Sequence, residues 1–195
     1  MRSDPNRRGV LAGAVLAGVS LADIARADAP FGPKVGARAP DTAVLADQTG
    51  KMRRLADLAG TKGVVLMFFR SAAWCPFCQA QLIAMNDGAG EIESRGYKIV
   101  GLSYDEPAVT KAFADRRGIT YELLSDPKSE VIDRWGLRDP QYPLGHRAYG
   151  VPRPAIFVID RKGVIRASLA EQIYQKRPPV SEVLKAIDAL GKGPG

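Results

Sequence analysis

The stretch Val64-Val65-Leu66-Met67-Phe68-Phe69-Arg70, followed by Ser71-Ala72-Ala73 and Trp74-Cys75-Pro76-Phe77-Cys78, decides how the rest of the chain is read. Six apolar residues run from Val64 to Phe69, β-branched at the start and aromatic at the end, which predicts a strand buried on both faces. From Gln79 the period changes. Leu82, Ile83, Met85, Ala89 and Ile92 recur at helical spacing. Cys75 and Cys78 therefore fall where a central strand gives way to a helix. The first turn of a helix carries unpaired N–H groups and a partial positive charge, which favour a thiolate. Pro76 suits that turn because its φ is already helical and its missing N–H would have had no partner. A spacing of i,i+3 puts the two cysteines on one side of the turn, within disulfide reach.

Other uses of a Cys-x-x-Cys pair fit less well. A structural zinc site needs about four ligands, and the chain has two cysteines and one histidine, His146. Covalent haem attachment needs a histidine directly after the second cysteine, where Gln79 stands. A purely structural disulfide closing so short a loop would contribute less than the roughly 3 kcal/mol of a 15-residue loop. Redox-active cysteines, with no metal and no cofactor, are the expectation.

The chain of 195 residues is 46% apolar, enough for one domain with its own core, and shows no internal repeat. Its net charge is +7, but the basic residues are scattered and no aromatic-and-basic module accompanies them, so nucleic acid is not an expected partner.

The first 29 residues read as a signal peptide. Arg2, Arg7 and Arg8 precede fourteen uncharged residues, Gly9 to Ala22, too few to span a bilayer at ~20 residues. Ala25-Arg26-Ala27 and Ala27-Asp28-Ala29 both offer small-x-small cleavage sites, and Asn6-Arg7-Arg8-Gly9-Val10-Leu11 resembles a twin-arginine signal, with an ordinary Sec signal as the alternative. Cleavage would remove four Arg and three Asp and leave +6. The expected location is the periplasm or the outside of the cell, where disulfides persist, with no stable membrane span left on the mature chain.

Residues 30–42 are expected as an extended lead-in, 43–190 as the domain and 191–195 as a flexible tail. Thr42–Ala46 and Met52–Leu55 are short strands around an Asp47–Lys51 turn, and Asp57–Gly60 is a helical turn. Tyr97–Ser103 is a second core strand. Glu106–Arg117 is a helix capped by Asp105 and ended by Gly118. Thr120–Leu124 is a third strand and Ser129–Trp135 a short helix. Leu137–Val151 is a long irregular stretch of the kind that often carries function. Pro154–Asp160 and Val164–Leu169 form a hairpin, and Pro179–Leu190 is an amphipathic helix. This order predicts an α/β sandwich with parallel and antiparallel parts.

Residues 64–190 resemble the thioredoxin fold, and within it the alkyl-hydroperoxide-reductase/thiol-specific-antioxidant (AhpC/TSA) branch. The resemblance rests on the Phe68–Cys78 block, Gly101-Leu-Ser-Tyr-Asp105, Leu124-Ser-Asp-Pro127, and Pro154-Ala-Ile-Phe-Val-Ile-Asp160 with Gly163. It implies a three-layer sandwich, a mixed central sheet flanked by helices. It also implies that Pro154 occupies the family's cis-proline position facing the disulfide. Two departures stand out. Peroxiredoxins place a proline and a hydroxyl where this chain has Phe68 and Ala72, and Arg153 does not fall at the peroxiredoxin arginine. Thioredoxins place a buried acid where this chain has Phe69.

The leading expectation is an exported thiol–disulfide oxidoreductase, with Cys75 as the more exposed, attacking sulfur and Cys78 as the resolving one. Pro154 would offer main-chain pairing to a substrate strand, Trp74 and Phe77 an apolar rim, and Arg70 either a nearby positive charge or a solvated strand end. His146 reads as an exposed loop residue. Substrates would be protein or small-molecule thiols and disulfides, with a membrane-linked or thioredoxin-type electron partner. Two alternatives stay open: a thiol peroxidase with Cys75 peroxidatic, and a non-catalytic thioredoxin-like binding module.

Overall fold

A computed structural model describes residues 31–191; the expected signal peptide and residues 192–195 lie outside that range. The strands are β1 (Val44–Asp47), β2 (Met52–Arg54), β3 (Gly63–Phe68), β4 (Tyr97–Ser103), β5 (Glu122–Ser125), β6 (Ala155–Asp160) and β7 (Ile165–Leu169). The helices are α1 (Pro76–Asp87), α2 (Ala89–Ser94), α3 (Pro107–Arg117), α4 (Glu130–Arg134) and α5 (Val180–Gly191). One seven-stranded sheet takes the order β2-β1-β5-β4-β3-β6-β7. Its centre, β3-β4-β5, is parallel, and β1, β6 and β7 add antiparallel pairings. This is the thioredoxin-like sandwich that the sequence predicts.

β3 is buried along its whole length because it feeds both faces of the sheet. Val65, Met67 and Phe69 pack with Leu82 and Met85 of α1, Phe113 of α3 and Ile187 of α5. Val64, Leu66 and Phe68 point the other way, among Val131 and Ile132 of α4, Trp135 and Phe157. The period of two along a strand divides one apolar run between two cores. Gly101 of β4 makes room for Leu123 and Phe69: a Cβ there would come within 2.6 Å of Leu123 Cδ2 and 3.1 Å of the Phe69 ring.

The helical signals hold with shifts of a residue or two. Gly88 separates α1 from α2, and Gly118 ends α3 in the left-handed conformation at φ 64°. Asp105 does not cap α3. Glu106 stands at the N-cap with no side-chain bond and Pro107 opens the helix, so its first turn begins beyond the reach assigned to Asp105. Asp126 behaves as a cap for α4 instead, its carboxylate accepting the N–H groups of Glu130, Val131 and Ile132 at 3.0, 2.9 and 2.9 Å. The 31–40 segment is irregular but tied down. Phe31, Val35 and Ala39 pack on the second core, and the N–H groups of Gly36 and Ala39 donate to the carbonyls of Ile165 and Gly163, both at 2.8 Å.

Candidate active site

The chain leaves β3 at Phe68 and crosses a buried loop, Phe69 to Ala72, before turning into α1. Asp105, just past the end of β4, holds this loop. Its carboxylate accepts Ser71 Oγ at 2.8 Å and the N–H of Ala72 at 2.7 Å. Gln79 Nε2 reaches back from α1 to the carbonyls of Ala72 and Ala73 at 2.8 and 3.1 Å. Burial pushes the Asp105 carboxyl above its ordinary value, and the bonds from Ala72, Ser71 and Ser103 offset only part of that rise.

Cys75 is the N-cap of α1, Pro76 its first residue, and Cys78 lies one turn in. The two sulfurs are joined in a disulfide with Cα atoms 5.2 Å apart. Cys78 N–H donates to Cys75 Sγ at 3.3 Å, as a cap requires, and Arg70 N–H donates to Cys78 Sγ at 3.3 Å. Exposure separates the two cysteines only slightly. Cys75 is 2% exposed and Cys78 0%. The two differ in what they face, since Cys75 lines a cavity of about 550 Å³ and Cys78 does not.

Arg70 is 3% exposed, so it is not a solvated strand end. Its guanidinium lies 4.0 Å from the Tyr174 ring centroid and 5.1 Å from those of Trp74 and Tyr142, and Nη2 donates to Tyr142 Oη at 2.6 Å. Three aromatic faces hold the charge in place of water. Trp74 and Phe77 are 44% and 42% exposed and form an apolar rim. Trp74 Nε1 donates to Tyr104 Oη at 3.1 Å, and Phe77 meets Tyr174 edge to face. His146 is an exposed loop residue, as expected, whose Nδ1 accepts the N–H of Ala148 at 3.0 Å.

Pro154 departs from the resemblance in its peptide bond. No peptide bond among the described residues is cis, and Pro154 does not line the cavity. It precedes β6, one register step beyond the Phe68–Ala155 pair. The backbone beside it is already used: Arg153 N–H donates to Leu137 O at 2.7 Å and Pro152 bridges Arg138. The Arg153 N–H is therefore not free to pair with a substrate strand.

The segment between β7 and α5 supplies residues that the sequence reading missed. Arg177 Nη2 lies 3.4 Å from Cys78 Sγ and 3.9 Å from Cys75 Sγ. Burial, with the neighbouring Arg70 charge, pushes its guanidinium down to about 10. It remains a cation at neutral pH. The only local sign of it in the sequence is Lys176-Arg177-Pro178-Pro179, a turn signal that says nothing of the cysteines. Tyr142, Tyr174 and Arg147 join the site from loops in the same way.

Residues 35–168 match the model of the AhpC/TSA family. The chain belongs to the AhpC/TSA family. It is 31% identical over 153 residues to the chloroplastic peroxiredoxin Q of Populus jackii, covering 78% of this chain and 68% of that one. It is 33% identical over 134 residues to the thiol-disulfide oxidoreductase ResA of Geobacillus thermodenitrificans, covering 68% and 67%. The crystal structure of peroxidoxin BcpB from Mycobacterium tuberculosis superposes with a TM-score of 0.68 at 27% identity, over 83% of this chain and 98% of that one. With peroxiredoxins and a thiol-disulfide oxidoreductase among its relatives, the chain is a redox enzyme built around a cysteine pair.

Proposed function

We propose that the protein is an exported thiol–disulfide oxidoreductase. The observation that carries this reading is the division of the pair: Cys75 caps α1 and lines the cavity, while Cys78 sits behind it against the Arg70 N–H. In the reduced protein the Cys75 thiolate attacks one sulfur of a substrate disulfide, and the other sulfur leaves as a thiolate with the electron pair. Cys78 then attacks Cys75 Sγ, closes the protein disulfide and releases the second substrate thiol. Two electrons pass from the dithiol to the substrate, and the reverse sequence oxidises a substrate dithiol. The helix N-terminus and the Arg177 charge stabilise the thiolate in either direction. Protein or small-molecule thiols and disulfides are the substrates. A membrane-linked or thioredoxin-type partner would supply or remove electrons. Periplasmic or secreted location rests on Arg7-Arg8 and the uncharged run after them.

A thiol peroxidase is the second reading, favoured by Arg177. Ala72 lacks the hydroxyl and Phe68 the proline of the peroxiredoxin pattern, but a guanidinium within 3.9 Å of Cys75 Sγ is a donor of the kind a peroxide needs. Stopped-flow oxidation of the reduced protein, followed by Trp74 fluorescence, separates the two. Fast exchange with a disulfide reagent and an ordinary thiolate rate with hydrogen peroxide supports the oxidoreductase. A peroxide rate orders of magnitude above that of a free thiolate overturns it. A protein inert to both would be a binding module.

A further inference from the structure

Four arginines of the molecule pair with carboxylates: Arg53 with Asp47, Arg95 with Asp188, Arg138 with Asp133 and Arg166 with Asp160. The two guanidiniums at the disulfide have none among the described residues. Arg70 and Arg177 are close enough for each other's charge to be felt, and the Nε of each is buried without a hydrogen-bond partner. Burying cations in this way costs free energy unless an anion compensates them. A thiolate at the cysteine pair compensates one of the two. The cavity beside Cys75 adds a third cation, Arg147, and no carboxylate lines it among the described residues. Its remaining walls include Trp74, Phe77, Tyr142 and Tyr174, flat apolar surfaces that suit a short carbon chain.

We propose that this cavity is a subsite for the carboxylate of a small thiol or disulfide, held by Arg70 and Arg147 while its sulfur meets Cys75. The inference rests on the thiol–disulfide reading and adds to it the class of substrate. With Arg70 Nη2 on Tyr142 and Nε buried, its guanidinium offers a carboxylate its remaining nitrogen, Nη1, held in place by aromatic stacking at little entropic cost. At about 550 Å³ the cavity is the size of a small-molecule site. The exchange is as given above, with the carboxylate unchanged throughout: one sulfur of the small disulfide bonds to Cys75, the other leaves as the free thiolate, and Cys78 releases the first.

The test uses three disulfides of similar length and different charge: dithiodipropionate, bis(hydroxyethyl) disulfide and cystamine. Each rate with the reduced protein is divided by the rate of the same disulfide with free dithiothreitol, which removes differences in leaving-group chemistry. The expected order is anionic, neutral, cationic, with about tenfold between the ends at low salt and less at high salt. That ratio should fall several-fold in Arg147→Gln and in Arg70→Met, Arg147 being exposed and its replacement harmless to the core. It should be unchanged in Arg117→Gln, at the C-terminus of α3 and away from the cavity. Equal normalised rates for the three compounds would overturn the subsite and leave the oxidoreductase standing. An equal fall in Arg117→Gln would also overturn it, by assigning the preference to overall charge. No reaction with any of the three would instead overturn the oxidoreductase reading.

Discussion

Arg177 Nη2 stands 3.4 Å from Cys78 Sγ, across 99 residues of sequence. In the oxidised protein this cation faces neutral sulfur, and reduction creates an anion in front of it. The pair therefore favours the reduced state, which raises the reduction potential. Arg177→Met should make the protein a weaker oxidant. Equilibration with a glutathione buffer should show the variant shifted towards the disulfide, and the pH at which iodoacetamide alkylation of the reduced protein half-saturates should rise. Unchanged potential and alkylation profile would remove Arg177 from the chemistry.

Cavity access should divide the labour of the two cysteines. Cys78→Ser leaves Cys75 able to attack with nothing to resolve the product, so mixed disulfides with thiol partners should accumulate. Cys75→Ser should trap almost nothing, because Cys78 is 0% exposed and away from the cavity. Mass spectrometry of both variants after exposure to a disulfide reagent gives the comparison. Equal or reversed trapping contradicts the assignment.

Asp105 gives a pH signature. Burial raises its carboxyl above the unfolded value of 3.8, so the folded protein keeps this proton over a window where the unfolded chain has lost it. Its contribution to stability is present at acid pH and is lost as pH rises through the folded value. The amide that replaces it in Asp105→Asn has no such proton to lose. The stability of the wild type relative to Asp105→Asn should thus be highest near about pH 4 and decline towards neutrality. An amide also cannot accept both the Ser71 hydroxyl and the Ala72 N–H on carboxylate oxygens, so the variant should lose about 1–3 kcal/mol. Urea denaturation at several pH values measures both effects, and a pH-independent gap would refute the first.

Export predicts a processed chain. Intact mass of protein from the cell envelope should correspond to a start at Asp28 or Pro30, after the two small-x-small sites. A full-length chain kept in the cytoplasm would refute it.

The central strands and α1 are legible because their signals are local: β-branched runs, a change of period at Gln79, and Pro76 at the first helical turn. Tyr97–Ser103 is predicted with its observed ends. Asp105 misleads because an acid before Pro107 looks the same in sequence whether it caps the next helix or reaches back 34 residues to Ser71. Arg70 is ambiguous for a related reason. Its burial depends on Tyr142 and Tyr174, which come from loops whose paths follow from tertiary packing and carry no periodic signal. Arg177 lies outside every motif. The cis-proline expectation for Pro154 comes from resemblance, and this chain spends the neighbouring backbone on Leu137 and Arg138 instead.

The pairing of residues 36–39 with β7 reaches beyond the site. An open sheet of seven strands has two free borders, each a template on which another chain can add. One border here is β2, only three residues long and carrying Arg53 and Arg54. The other is β7, whose first residue, Ile165, exchanges hydrogen bonds with Gly36 and Ala37, while the Ala39 N–H donates to Gly163 in the turn before it. Phe31, stacked under the Arg153 guanidinium at 4.2 Å, anchors the start of this cover. Proteolytic trimming past Phe31 would therefore loosen the cover at the start of β7 and lengthen the border open to another chain.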